Sequence, residues 1–111
     1  MLSIYFADDH EWWVSRDVFE RLFTSALEHG QLVPSLEEWR HVAAANGGLS
    51  FDDDEQEVAR QLMAGLRAAA TAELARLGNV DLQTEDGTYK VSLEKLLVAT
   101  ADAEASLRAD S

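Results

Sequence analysis

DDDEQEVARQLMAGLRAAATAELARLGN, residues 52–79, is the stretch whose reading decides the fold. Asp52, Asp53, Asp54 and Glu55 open it, and carboxylates in a first turn complement the positive end of a helix dipole. Val58, Ala59, Leu62, Met63, Leu66, Ala69, Ala70, Leu74 and Leu77 then recur at helical spacing over a wide apolar arc. Alanine is abundant and proline absent, which favours a helix of about 23 residues, or about 35 Å. Gly78-Asn79 closes it. So wide an arc predicts a central helix packed on two sides.

The flanking segments are read against this helix. Leu2 to Ala7 is apolar and rich in β-prone residues, so it predicts a short strand. Asp8 and Glu11 resemble an acidic capping box, which predicts a first helix over 10–29 stopped by Gly30. On that helix, at about 100° per residue, Trp12, Val18, Phe19, Leu22, Phe23, Ala26 and Leu27 share one arc. Trp13 projects with the opposite group of Asp17, Glu20, Arg21, Thr24 and Glu28, a placement that fails if the helix starts at Ser15.

Ser35-Leu36-Glu37-Glu38 reads as a second capping box, opening a helix that runs to about Ala45. Leu36, Trp39, Val42 and Ala43 face inward, and Asn46-Gly47-Gly48 ends it. Farther along, Asp86-Gly87 between β-prone segments predicts a hairpin over residues 80–91. Ser92 caps a last helix over 93–108, with Leu93, Leu96, Leu97, Thr100, Ala103 and Leu107 inward, and residues 109–111 fray. The expected order is β-α-α-α-β-β-α: a mostly helical α+β fold of about four helices with a small antiparallel sheet. One domain over residues 1–111 fits the length.

The charge is extreme. Twenty-one Asp and Glu against nine Lys and Arg leave a formal net charge of −12 on 111 residues. It is spread along the chain, so it is not an appended acidic tail. Such a field repels nucleic acid and anionic membranes and attracts basic proteins. Duplex affinity rests on Lys and Arg displacing counterions, and nine dispersed cations supply no basic stripe. Much of the acidity also stands where helix N-termini favour it, so solubility or adaptation to high salt competes with a binding role.

Chemistries fall away in turn. There is no Cys, hence no disulfide scaffold, thiolate metal site or Cys nucleophile. His10, His29 and His41 match no zinc spacing. Glu38 and His41 form one Glu-x-x-His, where a di-iron site needs two such motifs and further glutamates. Counting a calcium loop from Asp52 places Glu57 where glycine is required and Met63 where the bidentate glutamate belongs. No nucleophile elbow, P-loop or dinucleotide fingerprint is present. The expectation is no enzyme, no catalytic residue, no metal and no cofactor.

The N-terminal run Met1 to Asp9 has no basic region and does not read as a signal peptide. No apolar stretch reaches the about 20 residues that span a bilayer. A soluble cytoplasmic protein is expected.

Protein recognition remains. Trp13 beside Asp17, Glu20 and Glu28 predicts an aromatic anchor among steering carboxylates. Asp52, Asp53 and Asp54 form a second acidic region, and Tyr89 beside Glu85 and Asp86, at the expected hairpin, a third. The expected partner is a basic protein, with no nucleic acid and no membrane. The expected role is that of an immunity or antitoxin-type inhibitor, which blocks a cationic, nuclease-like toxin sterically and electrostatically. This is analogy by class, since the chain carries no immunity-family motif. The alternative is a structural or adaptor protein that assembles through apolar helix faces, its charge serving solubility.

Overall fold

The computed structural model describes the backbone of residues 1–7 and 10–109 and the side chains of residues 1–6 and 11–101. It is a mostly helical α+β fold with four helices and a three-stranded mixed sheet. The strands are β1 (Leu2–Ala7), β2 (His10–Val14) and β3 (Gly48–Leu49). The helices are α1 (Arg16–Glu28), α2 (Glu38–Asn46), α3 (Gln56–Leu77) and α4 (Glu85–Ala109). The order is therefore β-β-α-α-β-α-α, and the sheet runs β2-β1-β3.

The first departure from the sequence reading lies at residues 10–14. They form a strand antiparallel to β1, with Leu2 opposite Val14, Ser3 opposite Trp13, Ile4 opposite Trp12 and Tyr5 opposite Glu11. The helical arc of residues 12–27 hid a period of two: Trp12 and Val14 are buried while Trp13 is exposed. Pairing with an apolar β1 then outweighs a helical extension. The α1 helix starts at Ser15, whose Oγ accepts the Val18 N–H at 3.2 Å. Glu11 therefore caps nothing and instead accepts a hydrogen bond from Ser3 Oγ across the strands. The Asp8 cap lies outside the described residues.

A 3-10 turn at Pro34–Leu36 takes the place of the Ser35 capping box, and α2 begins at Glu38 with no side-chain cap. Proline at the first position of that turn favours the tighter geometry. Of the four expected inward residues, Leu36 and Ala43 are buried and Trp39 is half-buried against Phe51, but Val42 is exposed. Gly47 ends α2 in a left-handed conformation, and Gly48 returns the chain to the sheet beside Ser3. A Cβ at Gly48 would overlap the Ser3 backbone, so glycine is what admits β3. Because β3 runs parallel to β1, the sheet is mixed rather than purely antiparallel.

The α3 helix matches its reading closely. A 3-10 turn over Asp53–Glu55 leads in, and Glu55 Oε1 accepts the Asp52 N–H at 2.9 Å. Ala59, Leu62, Met63, Leu66, Ala69 and Ala70 are buried, while Val58, Leu74 and Leu77 pack against the core from its rim. Helix α4 lies against α3 and reaches the inner face of β2, where Trp12 Nε1 donates to the Ser92 carbonyl at 3.0 Å.

The expected hairpin over 80–91 does not form. Thr84 caps α4 instead, its Oγ1 accepting the Gly87 N–H at 3.1 Å. Glu85 and Asp86 then supply the acidic first turn. Gly87 is needed for proximity rather than for a turn, since a Cβ there would overlap the Asp81 carbonyl. Ser92 is internal to α4 and donates back to the Thr88 carbonyl at 2.9 Å. Leu93, Leu96 and Thr100 are buried as expected, whereas the side chains of Ala103 and Leu107 lie outside the described residues. Among the described residues no helix is long and apolar enough to cross a membrane.

Candidate functional site

The candidate residues fall on separate parts of the fold. Trp13 is exposed, though not for the helical reason. It stands on the outward face of β2 with 57% of its surface open, and Tyr5, 44% open, shares that face. Glu11 lies between them in the register and also accepts from Ser3. A hydrogen bond to Glu11 and the charge of its carboxylate raise the Tyr5 hydroxyl above the ordinary tyrosine range. Neither Tyr5 nor Glu11 is among the binding residues expected from the sequence, where Tyr5 belongs to the first strand and Glu11 to a helix cap. A strand assignment at 10–14 would have found them, because the period of two puts residues 11 and 13 on one side.

Asp17, Glu20 and Glu28 line a different surface. Spacings of three and four place Asp17, Glu20, Arg21, Thr24 and Glu28 along one stripe of α1. The lower part of this stripe borders a groove of about 450 Å³ between α1 and α3, lined by Glu20, Arg21, Thr24, Ser25, Glu28, His29, Glu73 and Arg76. Glu20 is engaged, gripped by Arg40 through Nε at 2.9 Å and Nη2 at 2.6 Å. Asp17 and Glu28 are exposed.

Asp86 joins this surface from α4, paired with Arg21 at 3.0 Å. Tyr89 corrects an expectation: it is 1% exposed and anchors the core rather than a partner. With residues 85–91 helical, position 89 turns inward beneath Arg21, whose guanidinium carbon lies 3.9 Å from the ring centre. Its hydroxyl donates to Glu73 Oε1 at 3.0 Å, and Arg76 Nε donates to Glu73 Oε2 at 2.7 Å. Burial first, then the bond to Glu73 and its charge, push the Tyr89 hydroxyl well above its ordinary range. Burial alone would raise Glu73. Hydrogen bonds from Arg76, Tyr89 and Ser25, with the Arg76 charge, hold it below the usual carboxylate range instead. Glu73 escaped the sequence reading because it sits inside an apolar helical arc with no motif around it.

Asp52, Asp53 and Asp54 are exposed at the approach to α3. Carboxylate oxygens of Asp52, Asp54 and Glu55 lie within 4.8 Å of one another. The capping bond of Glu55 to the Asp52 amide accounts for their convergence. Glu85 is likewise exposed, at the first turn of α4.

One feature unites these regions. Among the described residues, seven of the nine cations bond within their own chain: Arg16 to the Ala44 carbonyl, Arg21 to Asp86, Arg40 to Glu20, Arg60 to Glu57, Arg67 to the Leu97 carbonyl and Thr100, Arg76 to Glu73, and Lys90 to the Gly78 carbonyl. The carboxylates of Asp17, Glu28, Asp53, Asp54 and Glu85 stay exposed. Each ion pair cancels one carboxylate with one cation, so the net charge of −12 is carried by the remaining acidic residues.

Comparison of the chain with protein-family models, curated proteins and solved structures finds no match.

Proposed function

We propose that this chain is an acidic protein-binding protein of the cytoplasm, an immunity or antitoxin-type inhibitor. It neutralises a basic, nuclease-like toxin by covering the toxin's cationic surface. The observation that carries the reading is Trp13, more than half exposed on the sheet of a protein with net charge −12. Tryptophan is enriched at the energetic centres of interfaces, where a desolvated ring slows dissociation. Exposed carboxylates accelerate encounter with a cationic partner and stand in for substrate phosphates. The mechanism is steric and electrostatic, with no step of covalent chemistry.

The test is capture from lysate at low salt, followed by assay of the captured protein's nuclease activity with and without the chain. The expected result is a basic protein whose activity the chain suppresses and whose association slows as salt rises. Capture of nothing cationic, or of a partner left fully active, would overturn the reading.

The adaptor reading has its own observation. Val98 on α4 is 79% exposed, and an apolar groove of about 310 Å³ runs along Val33, Leu36, Ala64 and Ala68. An adaptor bound through these residues would associate independently of salt.

A further inference from the structure

We infer that β2 is a docking edge. An extended, cationic segment of the partner adds as a fourth strand beside His10–Val14 and lays its side chains over Trp13. This rests on the basic-partner reading above and names where that partner engages.

The sheet order β2-β1-β3 leaves β2 outermost. The opposite edge, β3, is only Gly48–Leu49, too short to template a strand. By contrast β2 has five residues, of which Glu11–Val14 pair in continuous register with β1 before the register shifts between Tyr5 and Ala7, at the His10 end. No backbone hydrogen bond beyond the sheet's own engages residues 10–14 among the described residues. The outward backbone groups of β2 thus have no backbone partner among the described residues.

Proteins blunt such edges with lysine, proline or a covering segment. His10-Glu11-Trp12-Trp13-Val14 holds neither residue, and three of its members, Trp12, Trp13 and Val14, are strong β formers. What protects this edge from pairing with itself is charge: two copies at −12 each repel. The same field draws in a strand of opposite sign. Glu11 stands on the outward face beside Trp13 and Tyr5. The nearest cation in sequence, Arg16, is turned away to the Ala44 carbonyl. On the flank near Ser92, Glu94 and Lys95 carry one charge of each sign. Backbone bonds would give affinity, while the rings and Glu11 select for lysine or arginine alternating with apolar residues.

The experiment uses the whole chain and a capped peptide of alternating lysine and valine, with a twin N-methylated throughout as a probe of equal charge. Binding is measured by calorimetry at low salt, and contacts by amide hydrogen exchange. The expected result is slowed exchange at β2, with binding weakened about tenfold or more by N-methylation and by Trp13→Ala. Circular dichroism verifies that Trp13→Ala remains folded, and Tyr5→Ala provides a second variant on the same face. Equal binding of both peptides, with protection on α1 instead of β2, would overturn strand addition and leave the basic-partner reading standing. No binding of either peptide would overturn both. Dimers with protected β2 amides before any peptide is added would assign the edge to a second copy and overturn the inference.

Discussion

Trp12 and Trp13 are neighbours in β2 and face opposite ways. Trp12 is 1% exposed with its indole nitrogen 3.0 Å from the Ser92 carbonyl, while Trp13 is 57% exposed. The same side chain thus serves the core at one position and the surface at the next. Trp12→Ala is expected to cost about 3–5 kcal/mol, the range for truncating a buried large aromatic. Trp13→Ala should stay within about 0.5 kcal/mol of wild type. Urea denaturation of both variants checks the pair, and equal losses would contradict the alternation.

The Glu73–Tyr89 bond ties α3 to α4 and makes a prediction at low pH. The folded pKa of Glu73 is depressed, so its contribution is present above the unfolded value of about 4.3 and is lost as pH falls through the folded value. In Glu73→Gln that part of the acid-induced loss should shrink, although the variant is less stable at neutral pH. Thermal melts across the acid range measure it.

At high pH the sign reverses. The folded pKa of Tyr89 is raised, so its contribution is intact below the unfolded value of about 10 and is lost as pH climbs through the folded value. Tyr5, raised by Glu11, adds to the same trend. Absorbance of the phenolate should therefore appear late in an alkaline titration and coincide with unfolding. Tyr89→Phe leaves Glu73 with Arg76 and Ser25 and should cost about 1.5–3 kcal/mol, the range for a hydrogen bond to a charged group.

The start of α4 tests helix against hairpin. Thr84→Ala removes the cap on the Gly87 amide and should cost about 1 kcal/mol. Gly87→Ala forces a Cβ into the Asp81 carbonyl and should cost about 1–3 kcal/mol by overpacking. A two-residue hairpin turn would instead leave Thr84→Ala nearly silent.

Legibility of the fold followed the strength of local signals. Residues 52–77 combine an acidic lead, a continuous apolar arc and a glycine stop, and α3 forms there. Residues 10–14 carry two tryptophans whose fit to a helical arc and to an alternating strand is equal over so short a run. Only the pairing with β1, a tertiary contact, decides between them. At Asp86-Gly87 the turn signal is strong, but Thr84 supplies a helix cap, and close packing on Asp81 explains the glycine as well as a turn does. Tyr89 was misplaced as a consequence. Trp13 was legible as exposed while its setting was not, so the acidic face around it includes Glu11 and Tyr5 rather than Glu20 and Glu28. The groove between α1 and α3 depends on contacts distant in sequence, and no local pattern announces Glu73.

The acidic field makes its own prediction. Asp17 and Glu28 are exposed, whereas Glu20 is bound to Arg40. Reversing Asp17 and Glu28 to lysine should slow association with a basic partner and leave dissociation nearly unchanged, because peripheral charges act mainly on encounter. Glu20→Lys should instead lower stability by leaving Arg40 facing a like charge.

The central claim is that this acidic surface recognises a cationic protein. The most direct measurement is the association rate constant with the captured partner as ionic strength increases from low to physiological and above. The rate is predicted to fall steeply with salt, and Trp13→Ala is predicted to speed dissociation at every salt concentration. A rate indifferent to salt, together with a Trp13→Ala variant that dissociates like wild type, would contradict the claim.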